Sequence, residues 1–191
     1  EAIWRAGATS KPVKTTYIMK SPSDIAPETI SLAPIHMRVI VNSPKLRVPK
    51  EPRAVELALK LVQVSDLVLE NFRPGVMDRL GIGYGSLREV NPDIILVSLS
   101  SNGQTGPERS YAGYAPMFAA LGGLGHLTGY PDGPPVELRH GMDHTGGMLL
   151  AFTAVAALCA KRRTELGQHV DVSVRDLGSS FIGQALMDYA M

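Results

Sequence analysis

Charge of one sign is what this chain has least of. Its 191 residues carry 19 lysines and arginines against 18 aspartates and glutamates. So even a balance gives no general attraction to nucleic acid or to an anionic membrane. Cysteine is nearly absent. Cys159 stands alone, which excludes a disulfide within the chain and fits a reducing compartment. It falls in the apolar run 148–160, where it is expected as buried filler and not as a reactive thiol. That run is short for a membrane span and meets Lys161, Arg162 and Arg163 at its end, so no membrane span is expected. The opening residues, EAIWRAGATSK, lack the apolar stretch of a secretory signal, and a cytoplasmic location is the expectation. Aromatic residues are few, while 19 glycines and 14 prolines read as many short elements joined by turns.

What is present alternates between two periods. Residues 1–37 hold scattered prolines and no sustained pattern, and are expected to be irregular. "MRVIV" (37–41) reads as a short strand. In 53–64, Val55, Ala58, Leu59 and Val62 recur at helical spacing after a Pro52 suited to a helix start. "DLVLENF" (66–72) reads as a strand closed by Pro74-Gly75. Two short helical turns follow over 76–91, separated by Gly81 and Gly83. "DIILVSLSS" (93–101) has the length and continuous apolarity of a strand buried on both faces. "YAPMFAALGGLGHL" reads as a glycine-broken helix and "GYPDGPP" as a turn cluster. The longest helix is expected over 144–163, with Gly167 at its C′ position. "HVDVSV" (169–174) alternates as a strand with one exposed face. This order predicts an α/β fold with a largely parallel sheet flanked by helices. The end, FIGQALMDYAM, reads as an amphipathic helix without a cap, so a fragment of a longer chain is expected.

Open parallel sheets bind ligands at the carboxyl ends of their strands. There, Asn71 offers donors and acceptors, Phe72 a flat apolar face, and Arg73 and Arg79 cationic forks. The set suits a nucleotide, with a base to stack and phosphates to neutralise; a strand-end turn with solvated arginines explains it equally well. "SSNGQTGP" (100–107), at the end of the next strand, is either a ligand loop or a surface turn. "GIGYG" (81–85) lacks the preceding strand and the spacing of a phosphate-binding glycine loop.

Residues 139–147, RHGMDHTGG, lead straight into the apolar helix. Asp143 has three readings. It is a helix N-cap, a metal ligand with His140 and His144, or a nucleophile. The metal set is disfavoured because Gly141 and the Gly146-Gly147 pair argue against a helix already formed at residue 140. As a nucleophile, Asp143 gains from the positive end of the helix, with the two glycines leaving first-turn N–H groups open to a substrate.

Taken together, several stretches resemble the class III CoA-transferases, the group of formyl-CoA transferase and carnitine CoA-transferase. They are ENFRPG (70–75) with Arg79-Leu80-Gly81 and Tyr84, NPDIILVSLS, GQTGP, Gly113-Tyr114, LTGYPDGPP, the aspartate before a glycine-rich helix start, and ELGQHVDVSV. The likeness runs from about residue 42 to 191, with NSPK (42–45) and KEPRAVEL (50–57) resembling further family segments around a shortened stretch. It implies a Rossmann-like large domain over 38–191, part of a two-domain chain whose small domain lies beyond residue 191, and a homodimer of interlocked rings. It implies that Asp143 is the catalytic aspartate and that Asn71, Phe72, Arg73 and Arg79 line a CoA site, with Ala112, Gly113, Tyr114 and Ala115 beside it. The implied reaction moves CoA from an acyl-CoA thioester to a free carboxylic acid through an aspartyl anhydride and an aspartyl-CoA thioester. No metal or redox cofactor enters it; coenzyme A is a substrate. The related α-methylacyl-CoA racemases carry His-Asp where this chain has Gly113-Tyr114-Ala115, so the base for α-proton removal is missing. An inactive CoA-binding fragment or assembly subunit is the alternative of another class.

Overall fold

The computed structural model describes residues 52–191 throughout and, before them, the backbone of 31–32, 35–36 and 39–41. Lys50 and the other residues of 1–51 lie outside the described residues. Strands β1 (Ser31–Leu32) and β2 (Ile35–His36) form a two-residue antiparallel pair. The main sheet has four parallel strands in the order β3 (Val39–Val41), β4 (Leu67–Glu70), β5 (Ile95–Ser100), β6 (His169–Ser173). Helix α1 (Pro52–Gln63) links β3 to β4, starting on the proline as its fixed φ favours. Between β4 and β5 come the short helices α2 (Val76–Arg79) and α3 (Tyr84–Val90). Between β5 and β6 come α4 (Ala115–Leu121), a 3-10 turn (Leu124–Leu127) and α5 (Gly141–Thr164). After β6 the chain ends in α6 (Val174–Ser180) and α7 (Gly183–Ala190). The α/β reading of the sequence holds, with a parallel sheet between helices.

Period-two alternation divides the core. Val68, Ile94 and Leu96 pack with Val62, Met77, Ile82 and Leu87 on the face covered by α1 and α3. Leu67, Ile95 and Val97 pack with Ala154, Ala157 and Val172 on the face covered by α5. A third cluster, formed by Ala115, Phe118, Ala119, Met142 and Val174, joins α4 and α6 to the start of α5. Because β5 is buried on both faces, its apolar run needs no alternation to be a strand. On edge strand β6, His169 and Asp171 are exposed while Val172 is buried, so the expected alternation is present.

Four details of α5 and its surroundings differ from expectation. The helix starts at Gly141, three residues earlier than predicted, with His140 as its N-cap and no side-chain cap hydrogen bond. Asp143 therefore sits within the first turn and does not cap it. Gly146 and Gly147 lie beyond that turn. Gly146 is buried against the strand end, and a Cβ there would stand 3.5 Å from Val174 and 3.6 Å from Leu99, ordinary contact distances at which an alanine would also fit. Helix α5 ends in Glu165, which takes the left-handed conformation (φ 60°) expected of Gly167. Gly167 is needed instead for close approach: a Cβ there would fall 2.4 Å from the Ile94 carbonyl oxygen. Cys159 is exposed, because the buried stripe of α5 runs through Ala154 and Ala157. The helix is long and apolar enough to cross a membrane by length and composition alone. Its outer face carries Met148, Phe152 and Val155, all exposed.

Two substitutions separate these glycines. Nothing lies within 4 Å of a Cβ at Gly147, so Gly147→Ala should stabilise the protein by up to about 1 kcal/mol through helix propensity. Gly167→Ala should destabilise it by about 1–3 kcal/mol through overpacking against backbone. Urea unfolding of both variants beside wild type checks the pair; equal effects would contradict the distinction.

Candidate functional site

The carboxyl ends of β4 and β5 and the first turn of α5 border an open cleft of about 600 Å³. Asn71, Phe72 and Arg73 enter it from the end of β4, and Ala112, Gly113 and Tyr114 from the loop before α4. Leu99, Ser100 and Ser101 form its floor, with Phe118, Val174 and Asp143 closing the third side. Eight of the residues expected in a site thus fall into two groups: seven line this cleft, and Ala115 lies just behind it. Ala115 is buried (1% exposed) in the first turn of α4 and packs in the core. The ninth, Arg79, lies outside the cleft wall. It is exposed on α2, with a guanidinium nitrogen 3.4 Å from where a Cβ of Gly75 would stand.

Asp143 is exposed on the cleft, and no hydrogen bond or ion pair to its carboxylate is seen among the described residues. It sits in the first helical turn, next to N–H groups that have no partner within the helix. His144 does not touch it: His144 Nδ1 lies 2.8 Å from the His140 carbonyl oxygen, and the His144 amide donates to that same carbonyl at 3.2 Å. The helix is therefore already turning at residue 140, contrary to expectation. Among the described residues no group of three or more His, Cys, Asp or Glu is placed to hold a metal.

Beneath Arg73, on the α1/α3 face, lies a smaller polar cavity of about 150 Å³ whose wall Arg73 shares with the cleft. Here a chain of polar groups went unnoticed in the sequence. Glu70 is 3% exposed. Its carboxylate accepts the Phe72 amide hydrogen at 2.7 Å and also hydrogen-bonds Ser98. Ser98 Oγ lies 2.9 Å from His169 Nε2. With Ser98 donating to the carboxylate, His169 must donate from Nε2, which sets its tautomer. The imidazole rests against Tyr84, ring centroids 5.2 Å apart, with the Arg88 guanidinium 5.8 Å from the Tyr84 ring centroid. Parallel register makes this possible: Glu70 pairs with Ser98, and Ser98 with Asp171. Asp171 accepts the Gln104 amide hydrogen at 2.7 Å, and so anchors the turn containing Gly103, whose φ is +80°. An ion pair of Arg175 with Glu108 ties the rest of that loop to α6.

Burial pushes the Glu70 carboxyl above its usual value of 4.5, against the lowering effect of the Ser98 and Phe72 hydrogen bonds, with Asp171 and Asp78 adding repulsion. Burial lowers His169, against the attraction of Asp171 and Asp78. The two act on stability in opposite senses. A raised carboxyl contributes stability that is full below its unfolded value and is lost as pH rises through the folded one. The lowered histidine contributes stability that is lost as pH falls below its usual 6.5.

A cleft at the carboxyl ends of a parallel sheet, lined by Arg73 and by an aspartate in the first turn of a helix, lies where Rossmann-like α/β units hold ligands. Residues 49–191 match the family model described as CoA-transferase family III, and the chain belongs to that family. It is 43% identical over 131 residues to an acetyl-CoA:oxalate CoA-transferase of Acetobacter aceti, covering 68% of this chain and 34% of that protein. To an acyl-CoA transferase of Fusarium pseudograminearum it is 45% identical over 126 residues, 65% of this chain and 28% of that one. A crystal structure of a CAIB/BAIF family protein from Brucella suis superposes with a TM-score of 0.70 at 28% identity, covering 82% of this chain and 50% of that chain. The chain thus spans about a third of the curated relatives it matches and about half of the solved structure.

The pH dependence of the polar chain is testable through Glu70→Gln. Wild-type stability should carry a component that declines as pH rises above about 4.5, the unperturbed carboxyl value. The glutamine variant should lack that component and keep the histidine's opposite one. Urea unfolding of both proteins between pH 4 and 7 (roughly the span of the two usual values) gives the difference. Parallel curves would contradict a raised Glu70.

Proposed function

We propose that the full-length protein transfers CoA from an acyl-CoA thioester to a free carboxylate, with Asp143 as nucleophile. One observation carries the reading. Asp143, which the sequence places 70 residues beyond Arg73, faces the same cleft as Asn71-Phe72-Arg73 and Ala112-Gly113-Tyr114. The family and the names of the relatives supply the substrate class, acyl-CoA and a small carboxylic acid.

In this reading the Asp143 carboxylate attacks the thioester carbonyl, forming a mixed anhydride and expelling CoA thiolate. The thiolate attacks the aspartyl carbonyl, releasing the first acid and leaving an aspartyl-CoA thioester. The incoming carboxylate then attacks that thioester, and the returning thiolate takes its acyl group and frees Asp143. Each step exchanges one acyl bond for another, so an acyl-transferring carboxylate suffices. Arg73 at the wall and Arg79 at the rim would meet the phosphates of CoA, while the cleft floor would receive the acyl end. The chain is proposed as part of the large domain of a cytoplasmic homodimer, whose partner would cover the exposed Met148, Phe152 and Val155 of α5.

Asn at position 143 keeps size and polarity but cannot form an anhydride. Asp143→Asn in the full-length enzyme should fold normally and lose CoA transfer; substantial retained transfer, with hydrolysis back to Asp excluded by mass, overturns the mechanism. Wild type incubated with acyl-CoA and hydroxylamine should yield a hydroxamate at Asp143, located by peptide mass. Arg79→Ala should weaken CoA binding by an amount on the order of 1.5–3 kcal/mol, the worth of a charge-assisted hydrogen bond, and calorimetry showing unchanged affinity removes Arg79 from the phosphate contacts.

A further inference from the structure

Four serine hydroxyls gather at the carboxyl ends of β5 and β6, and three of them have clear partners. Ser98 binds Glu70 and His169. Ser101 donates to the Tyr111 carbonyl at 2.9 Å. Ser173 accepts the Asp176 amide hydrogen at 3.2 Å as the N-cap of α6. The fourth, Ser100, is 6% exposed, lines the cleft that Asp143 also lines, and its hydroxyl oxygen bonds no protein group among the described residues. A buried hydroxyl left unpaired is costly and calls for a partner, and on the cleft floor an entering ligand is the partner at hand.

Position makes Ser100 a specific candidate. Successive side chains of β5 alternate faces, and on the α1/α3 face the run is Leu96, Ser98, Ser100. The first is core, the second is held by the polar chain, and the third is the last residue of the strand. No charged side chain of the described residues pairs with it. It therefore presents a neutral donor, set on rigid β-structure, which suits a carbonyl oxygen better than a phosphate.

We infer that Ser100 is a substrate-contacting residue whose hydroxyl donates a hydrogen bond to a carbonyl oxygen of the acyl-CoA. This rests on the CoA-transferase reading above. Two carbonyl sources share that chemistry, the thioester carbonyl and the amide carbonyls of the CoA arm. No proton is transferred.

The test uses the full-length protein, with free CoA and acetyl-CoA as probes, and compares wild type with Ser100→Ala by calorimetry and thermal melting. Affinity for acetyl-CoA should fall about three- to tenfold, the worth of one neutral hydrogen bond. A loss for acetyl-CoA alone identifies the thioester carbonyl; an equal loss for free CoA identifies the amide carbonyls. The melting temperature without ligand should be unchanged or higher, because the substitution removes an unpaired buried hydroxyl. Ser100→Cys, of similar size but a weak donor, should reproduce the loss of affinity. Unchanged affinity in Ser100→Ala overturns the inference and leaves the wider reading standing. A lower ligand-free melting temperature also overturns it, since the hydroxyl would then be structural. Wild type that binds neither probe overturns the underlying reading and this inference with it.

Discussion

The hydrogen bond from the Phe72 amide to the buried Glu70 carboxylate is the contact on which the cleft depends. It closes the last turn of chain after β4 and so aims Phe72 and Arg73. The carboxylate can stay buried only because Ser98 and, through it, His169 supply further hydrogen bonds from the next two strands. Three strands are thereby joined at their carboxyl ends by side chains as well as by the backbone ladder. A buried acid left with one partner would be expensive; with three strands contributing, it becomes a rigid corner under the wall of the cleft.

The opposite wall is set by close packing and not by polar contacts. The start of α5 packs on Leu99 and Val174, and Met142 fills the space between α4 and α6. Asp143, next to the fully buried Met142, is held at the cleft without any side-chain tether of its own. Its freedom from hydrogen bonds and its fixed backbone have one origin: the neighbour is anchored, so the carboxylate need not be. That combination suits a group that must bond to a succession of different partners.

Much of this was legible in the sequence, and the misses share a cause. The strands at 66–72 and 93–101 and helix α1 follow from local period, which tertiary contacts here only reinforce. The grouping of Asp143 with Asn71-Phe72-Arg73 was legible through motif resemblance; no local pattern relates residues so far apart. The Glu70–Ser98–His169 chain has no local signal because its members come from three strands, the last two standing 71 positions apart. Its traces are Ser98 at an inward position within β5 and Glu70 at the end of apolar β4. Gly167 has the local pattern of a helix C′ residue, whereas tertiary packing decides its role: it answers to the backbone of Asp93 and Ile94, distant in sequence. Cys159 was misplaced for a similar reason, since a helix apolar on all sides does not reveal which stripe meets the sheet.

The polar residues of β6 have a second consequence. Among the described strands β6 is an edge of the main sheet, and a parallel edge offers a row of free amide and carbonyl groups to any extended chain that drifts alongside. His169 and Asp171 stand exposed along this edge, and the Gln104 turn is fastened across it by the Asp171 carboxylate. Another strand pairing there would have to displace that turn and bury an ionised carboxylate. By fastening the Gln104 turn there, Asp171 thus also shields this edge from pairing with another extended chain.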